Sequence, residues 1–163
     1  MAGSMSYPSQ FRSDFTKAVR VSLPYNTAQT FVVGSSVQFN GTTGVVDLAS
    51  SVADPLTYFS MDSTSITGSD VVSSGKLPLI QSGCRVASSL FVAAGTTNAL
   101  TVTSAHLGYY VQVASAAAGK WELTAGGSMV IKDVFVGKVD KIYTDRDGTV
   151  MAEWLHDPKI FAG

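Results

Sequence analysis

Residues 129–155, MVIKDVFVGKVDKIYTDRDGTVMAEWL, decide the fold class of this chain. The first part is a long run rich in β-branched and aromatic residues, and Gly137 in its middle predicts a bulge or sharp bend that divides the run into two strands. Asp145-Arg-Asp-Gly148 is a turn signal. Thr149–Leu155 then returns with alternate side chains on opposite faces. The stretch therefore predicts an antiparallel hairpin.

Shorter β-rich runs, separated by turn residues, precede this hairpin. They recur about every ten residues, which favours a sandwich or barrel over alternating strands and helices. Asn40-Gly41 is a hairpin signal, because both residue types tolerate positive φ. The runs are Val19–Val21, Phe31–Val33, Val37–Phe39, Val45–Leu48, Leu56–Phe59, Leu77–Ile80, Arg85–Val92, Leu100–Thr103, Tyr109–Ala114 and Lys120–Thr124. We therefore predict an all-β fold, a single jelly-roll-like sandwich or β-barrel domain over residues 18–157.

The two ends of the chain do not follow the β pattern. Residues 1–17 form a predicted extended N-terminal arm, with three aromatic residues among Ser, Gln and Arg. A short helix over residues 9–17, a strap that anchors on a neighbouring subunit and a frayed tail are all compatible with it. Residues 158–163 form a short apolar tail that docks on its own domain or on another subunit. The candidate contact residues at the two ends are Tyr7, Phe11, Phe15, Ile160 and Phe161.

Helix signals and repeats are few. Apart from the arm, only Thr103–Leu107 offers a helix, a single turn capped by Ser104. The alanines of Ala114–Ala118 are interpreted as a loop, because Gly119 follows at once. Phe31-Val-Val-Gly-Ser-Ser resembles Phe91-Val-Ala-Ala-Gly-Thr-Thr only loosely, so no array of repeats is predicted.

Composition narrows the class of partner. The 163 residues carry a net charge of −1, only 14% are charged and 45% are hydrophobic. Nucleic-acid binding needs clustered Lys and Arg, and a membrane-surface patch needs a basic amphipathic face, so neither partner is expected. Ser, Thr, Gly and Asn solvate the surface instead. Such a surface is cheap to desolvate, which suits packing against another protein. A merely stable β-domain is the plainer interpretation.

The residues that could carry chemistry are sparse. The single cysteine, Cys84, is interpreted as a small buried apolar side chain, and no multi-cysteine zinc site is possible. A serine hydrolase needs a histidine base, but neither His106 nor His156 lies beside a nucleophile motif. Asp145–Gly148 partly matches a calcium loop, which a hairpin turn explains with fewer assumptions. We therefore expect no enzyme activity, no metal and no cofactor.

The N-terminus lacks the basic segment and apolar stretch of a signal peptide, and the chain has no apolar run of about 18 residues. Synthesis in a reducing cytoplasm is the expectation that follows.

The layout resembles the decoration, or cement, proteins of tailed-bacteriophage capsids. The likeness lies in the aromatic arm, the Ser/Thr/Gly-rich strands and the closing segment Val134–Tyr143 followed by Asp147–Leu155. It implies a virion structural protein, made in the host cytoplasm, that binds the major capsid protein on the outer capsid surface. It also implies a homo-oligomer, a trimer or dimer, that cements neighbouring capsomers, with the arm and tail residues as contacts.

Two alternatives stay open. A tail or fibre component has the same composition. A carbohydrate-binding or receptor-binding β-domain would use Trp121, Tyr109 or Tyr110 as stacking platforms for sugar rings, although aromatic residues in strands more often belong to the core.

Overall fold

The chain folds into two antiparallel β-sheets in the computed structural model, which describes residues 18–50, 57–125 and 135–158. In chain order the strands of the first sheet are β1 (Val19–Pro24), β2 (Ser36–Asn40), β3 (Val45–Leu48), β4 (Thr57–Ser60) and β5 (Lys76–Ser82). Those of the second are β6 (Cys84–Ser88), β7 (Tyr110–Val113), β8 (Trp121–Thr124), β9 (Phe135–Thr144) and β10 (Val150–His156). The all-β prediction is confirmed, and of the two architectures left open the chain adopts the sandwich.

The C-terminal hairpin forms as the sequence predicts. Strands β9 and β10 pair antiparallel, and the Asp145 carboxylate closes the turn by accepting hydrogen bonds from the N–H groups of Asp147 and Thr149, each at 2.9 Å. Gly148 completes the turn with a φ of +85°, in the left-handed region that favours glycine. The local turn chemistry therefore specifies this register.

Gly137 marks a bulge, but it does not divide the run into two strands. Val111 of β7 pairs with Gly137 and the next residue of β7 pairs with Phe135, so Val136 is the extra residue of the bulge. Strand β9 nevertheless continues from Phe135 to Thr144. A Cβ at position 137 would overlap the Trp154 ring and lie 2.7 Å from the Leu155 carbonyl oxygen, so close packing requires glycine here.

The sheets pack face to face through an inter-sheet core of large aromatic side chains. Phe59 of the first sheet stacks on Trp121 of the second, with ring centroids 6.4 Å apart and planes 19° apart. Trp154 meets both rings edge-on, at 5.9 Å from Phe59 and 5.4 Å from Trp121. Stacked sheets lie about 10 Å apart, and bulky rings fill that distance.

The opposite face of the first sheet carries a second cluster of buried apolar residues. Two residues of the loop after β1, Tyr25 and Phe31, cover it together with Val71 from a short helix. Its members on the sheet are Val37, Val46, Tyr58, Leu77 and Leu79. The first sheet is therefore covered on both faces.

The short helix α1 (Asp70–Ser74) was not among the predicted helices. Ser69 is its N-cap and accepts a hydrogen bond from the Val72 N–H at 3.3 Å, and Gly75 ends it in the left-handed region. The prediction of helix only in the arm and at Thr103–Leu107 was therefore wrong, although the Ser-Asp start and glycine stop are visible in the sequence.

The second half of the chain repeats the strand order of the first. The first sheet runs β1-β5-β4-β2-β3 and the second β6-β10-β9-β7-β8, so each strand has the same neighbours after a shift of five. In both halves the segment after the first strand crosses to the third strand. There Tyr25 forms a parallel bridge with Val46, and Phe91 with Trp121. The residue after each aromatic donates its N–H to the carbonyl of that bridge partner, at 3.0 Å both times.

This repeat has a faint trace in the sequence. Strands two and three of each half pair a Val-Gln dipeptide with an acid-Leu dipeptide. The equivalent pairs are Val37–Leu48 and Gln38–Asp47 in the first half, and Val111–Leu123 and Gln112–Glu122 in the second. The sequence predicted no array of repeats, and it did not reveal this recurrence of strand order, because connecting loops of different length hide the correspondence.

Three predicted strands differ from the structure. Phe31–Val33 is a loop whose first residue pairs with Thr64, because the Phe31 N–H bonds to the Thr64 hydroxyl and the Thr64 N–H to the Phe31 carbonyl, both at 3.0 Å. Leu100–Thr103 lies outside the strands, and the run from Arg85 ends at Ser88. Apolar content alone does not supply the neighbouring strand that a ladder needs.

Two turn predictions are refined. The β2–β3 hairpin forms, but positive φ occurs at Gly44 instead of Asn40 or Gly41, and the Asn40 side-chain oxygen accepts from the N–H groups of Thr42 and Thr43. The predicted Ala114–Ala118 loop is confirmed. The arm over residues 1–17 and residues 159–163 of the tail, with their five candidate contact residues, lie outside the described residues.

Candidate functional sites

His156 joins the two sheets and is fully buried. The imidazole Nδ1 accepts a hydrogen bond from the Trp154 indole at 3.2 Å, so Nε2 carries the proton and donates to the Thr57 carbonyl at 2.8 Å. Phe59 and Trp121 pack around the ring. Burial lowers its pKa from 6.5 to about 4, against the raising effect of the hydrogen bond to Thr57.

The position of His156 corrects the sequence interpretation. The predicted returning strand ends at Leu155, but β10 extends one residue further and ends at His156. Both ring nitrogens are engaged, Nδ1 by Trp154 of the same strand and Nε2 by Thr57 of the first sheet, so the side chain serves as a structural link between the sheets. That Trp154 and His156 share a face follows from strand alternation, but the Thr57 carbonyl lies far away in sequence and cannot be inferred locally.

The other two sequence candidates also have structural roles. Cys84 is fully buried opposite His156 in the β6–β10 ladder, which confirms it as a small core side chain. His106 ends the predicted single turn, observed as the 3₁₀ helix Ser104–His106, and its Nδ1 accepts from the Thr103 N–H at 2.9 Å. The cap residue is Thr103 and not Ser104 as predicted. Among the residues that the structure describes, His, Cys, Asp and Glu side chains do not gather in threes to hold a metal ion.

An ion network crosses three strands of the second sheet. The Arg85 guanidinium on β6 binds Glu153 on β10 at 2.9 Å and also binds Asp140 on β9. The hydrogen bond to Asp140 raises the pKa of Arg85 most, and the bond to Glu153 adds to it, while burial opposes both. Glu153 is 5% exposed and needs this counter-charge. Tyr143 has its pKa raised by burial and by the carboxylates of Glu153 and Asp145.

Glu122 on β8 gathers two loops onto the second sheet. Its Oε2 accepts from the Gly95 N–H at 3.1 Å, the Ser115 N–H at 2.9 Å and the Ser115 hydroxyl at 3.2 Å. Its Oε1 accepts from the Gln112 amide at 3.2 Å. Four donors saturate this buried carboxylate.

Asp47 on β3 occupies the equivalent position in the first half. Its Oδ1 accepts from the Asn26 amide and its Oδ2 from the Asn40 amide, both at 2.9 Å. Asp47 borders a cavity of about 290 Å³ at the edge of the first sheet, between β2 and the end of β3. The sequence analysis did not single out Asp47 or Glu122. The available signal was an acid between apolar residues of a strand, as in Val-Val-Asp-Leu and Trp-Glu-Leu.

The structure changes which of the three aromatic residues considered for sugar stacking are accessible. Trp121 is 0% exposed, and its indole N–H donates to the Gly34 carbonyl at 2.7 Å, so it cannot stack on a sugar. Tyr110 is partly exposed, with the Lys138 ammonium 5.7 Å from its ring centroid. Tyr109 packs edge-on against His106 at 5.1 Å.

Several large apolar side chains are exposed on the loops that cover the first sheet. Val33 is 58% exposed and Ile66 64%, and Val32 next to Val33 is also exposed. The two loops that carry them are joined by the hydrogen bonds between Phe31 and Thr64. We name Val32, Val33 and Ile66 the loop patch.

Within the described ranges, no helix has both the length and the apolar character needed to cross a membrane. In comparisons with protein-family models, with curated proteins and with solved structures, nothing matches this chain.

Proposed function

We propose that this protein is a virion structural protein that binds the outside of an assembled phage capsid and cements neighbouring capsomers. The observation that carries the proposal is the loop patch, an apolar group on a protein with only 14% charged residues. Exposed apolar groups on a polar, lightly charged surface are typical of protein–protein contacts.

The side chains that could act as acids, bases or nucleophiles also support a structural role. His156, Cys84, Glu122 and Glu153 are buried and, apart from the thiol, bound to protein partners. They hold loops and strands in place, which gives a rigid body suited to repeated docking on a regular lattice. Many weak contacts of identical copies then add up to firm attachment of the shell.

The arm and the tail complete the proposal as straps. Residues 1–17 and 158–163 carry aromatic and apolar residues outside the predicted β pattern, and an extended strap can add to a neighbour's sheet edge. The partner is the major capsid protein, and the protein itself is a trimer or dimer at the outer capsid surface.

Cosedimentation with shells assembled from the accompanying major capsid protein tests this function. Deletion of residues 1–16 should abolish binding while the far-ultraviolet dichroism of the sandwich is retained. Val33→Asp with Ile66→Asp should weaken binding at least tenfold, whereas Leu107→Asp, at an exposed apolar residue remote in sequence, should not. Normal decoration by the truncated chain would refute the strap, and normal decoration by the double variant would refute the loop patch as a contact. Failure of the wild type to sediment with the shells would refute the function. Sedimentation with purified tails instead of shells would favour the tail or fibre alternative.

A further inference from the structure

The cavity beside Asp47 is the feature that the proposed function leaves unexplained. Its lining is mainly polar, and it opens at the edge of the first sheet, where β2 turns into β3. The polar residues around it are Gln38, Asn40, Asp47 and Ser50, with Gly41 at its rim. No described group bonds to the Ser50 hydroxyl.

The repeat provides an internal reference for this cavity. Asp47 and Glu122 occupy the same place, opposite Gln38 and Gln112 on the neighbouring strand. Glu122 accepts four hydrogen bonds, from two peptide N–H groups, one hydroxyl and one amide. Asp47 accepts two in the described part of the chain, both from amides. A carboxylate has about four lone-pair sites, so two acceptor sites of Asp47, which lines the cavity, are not taken by described protein donors.

We propose that this cavity binds a saccharide, whose hydroxyl groups take the two acceptor sites of Asp47 that loop donors fill at Glu122. Sugar hydroxyls both donate and accept. Asp47 accepts from them, while the second amide proton of Asn40 and the hydroxyl of Ser50 are available as donors. The inference does not depend on capsid binding.

The geometry disfavours a cation. Asn26 and Asn40 turn their N–H₂ groups toward Asp47, and the Asn40 oxygen is engaged by the N–H groups of Thr42 and Thr43. The Gln38 side-chain oxygen accepts from the Ser50 N–H at 3.1 Å. A hard cation needs several oxygen ligands, and here the amide oxygens point to the backbone.

The geometry also disfavours a peptide strand. The open side of β3 is covered, because Tyr25 bridges Val46, the next N–H binds the Val46 carbonyl, and the Gln29 side chain accepts from the Leu48 N–H at 2.7 Å. Strand addition requires a free row of backbone groups at the edge. A small polyhydroxyl ligand needs only the cavity.

Titration of the full-length ¹⁵N-labelled protein with methyl glycosides of glucose, galactose, mannose and N-acetylglucosamine tests the site. At least one glycoside should shift the amide signals of Gln38, Asn40 and Asp47 with a dissociation constant in the millimolar range, typical of a few hydrogen bonds in an open site. Calcium chloride serves as the second probe. No shift with any glycoside, or shifts with calcium alone, would overturn the proposal.

Matched variants locate the site. Gly41 has open space around it and a φ outside the left-handed region, so Gly41→Trp should fold and obstruct the cavity. Thr43→Trp places the same ring in the same turn outside the cavity. Glycoside affinity should fall at least tenfold in Gly41→Trp and in Asp47→Asn and stay unchanged in Thr43→Trp. Equal binding by Gly41→Trp and the wild type would refute this location. Capsid binding by Gly41→Trp should be normal, which separates this inference from the proposed function.

Discussion

The two halves of the chain, residues 18–82 and 84–158, share one strand order and bury very different side chains. Where the first half has Val46 and Leu79, the equivalent register positions of the second hold Trp121 and Trp154. The first sheet uses this face against a thin cover of loop and helix. The second sheet uses it against a whole sheet. The comparison teaches that strand order tolerates different core volumes, and that the covering layer sets side-chain size.

Truncation of the equivalent core positions should have the largest effect. Trp121→Ala should lower the free energy of unfolding by about 3–5 kcal/mol, because a large ring and its cavity are lost. Val46→Ala, at the same position of the first half, should cost about 1.5–3 kcal/mol, the value of a buried valine. Urea denaturation followed by circular dichroism measures both. Trp121→Phe should be intermediate and serves if the alanine variant fails to fold. Equal losses of unfolding free energy at both positions would contradict the conclusion that the two halves differ in the size of their core.

The histidine link is specific to the second half, since Ser82 takes the place of His156 in the first. The pKa of His156 is lowered from 6.5 to about 4, so its contribution is fully present above pH 6.5 and is lost as the pH falls toward 4. At about 1.4 kcal/mol per pKa unit, the loss is about 3 kcal/mol.

Denaturation curves between pH 7 and pH 4 of the wild type and His156→Gln measure this link. The variant should be less stable at pH 7 but lose less stability on acidification, since the glutamine amide stays neutral. Carboxylates titrate in both proteins, so the difference isolates the histidine. Parallel pH profiles would show that His156 is not protonated on unfolding.

The carboxylates of Glu122 and Asp47 should contribute differently to the free energy of unfolding. Glu122→Gln replaces a charged carboxylate that accepts four hydrogen bonds by a neutral amide with one acceptor oxygen, and should cost about 2–3 kcal/mol, since hydrogen bonds to a charged group are stronger and the amide N–H₂ group faces a buried donor. Asp47→Asn keeps one acceptor oxygen for the side-chain amides of Asn26 and Asn40, which can also turn to bind water, and should cost about 1 kcal/mol. Thermal and urea unfolding provide the measurement. A larger loss at Asp47 would mean that it, too, is primarily a structural clamp.

The helix that distinguishes the first half should give the smallest effect. Helix α1 stands between β4 and β5, where the second half has the tight turn after β9. Ser69→Ala removes its N-cap and should cost about 1 kcal/mol. Ser73→Ala, an exposed position in the helix, is the matched control and should be neutral or slightly stabilising. Hydrogen exchange at Val72 should accelerate in the cap variant alone.

The fold class could be predicted because strands carry local signals. The β9–β10 hairpin, the Ala114–Ala118 loop and the single turn before Gly108 follow from alternation and turn residues. Phe31–Val33 has the same apolar content as a strand and forms none, because the neighbour it meets is a loop residue, Thr64. Helix α1 was missed because five residues give no periodicity to detect.

The candidate sites were far less predictable. His156 and Trp121 have structural roles because they bind the carbonyls of Thr57 on β4 and of Gly34 in the loop before β2, both far away in sequence. In the sequence, Asp47 is an ordinary acidic residue near a turn. Only comparison of its two hydrogen bonds with the four of Glu122 in the folded structure singles it out. The five residues of the arm and tail remain predictions.

The sequence by itself determined that this protein is all-β, that its closing hairpin turns at Asp145–Gly148 and that its surface is lightly charged. These properties depend on neighbours within a few residues. Only the tertiary structure decided the sandwich, the repeated strand order and the different fates of Asp47 and Glu122. Strand pairing and burial join residues that lie tens of positions apart, and loops of different length erase that relation from the linear sequence.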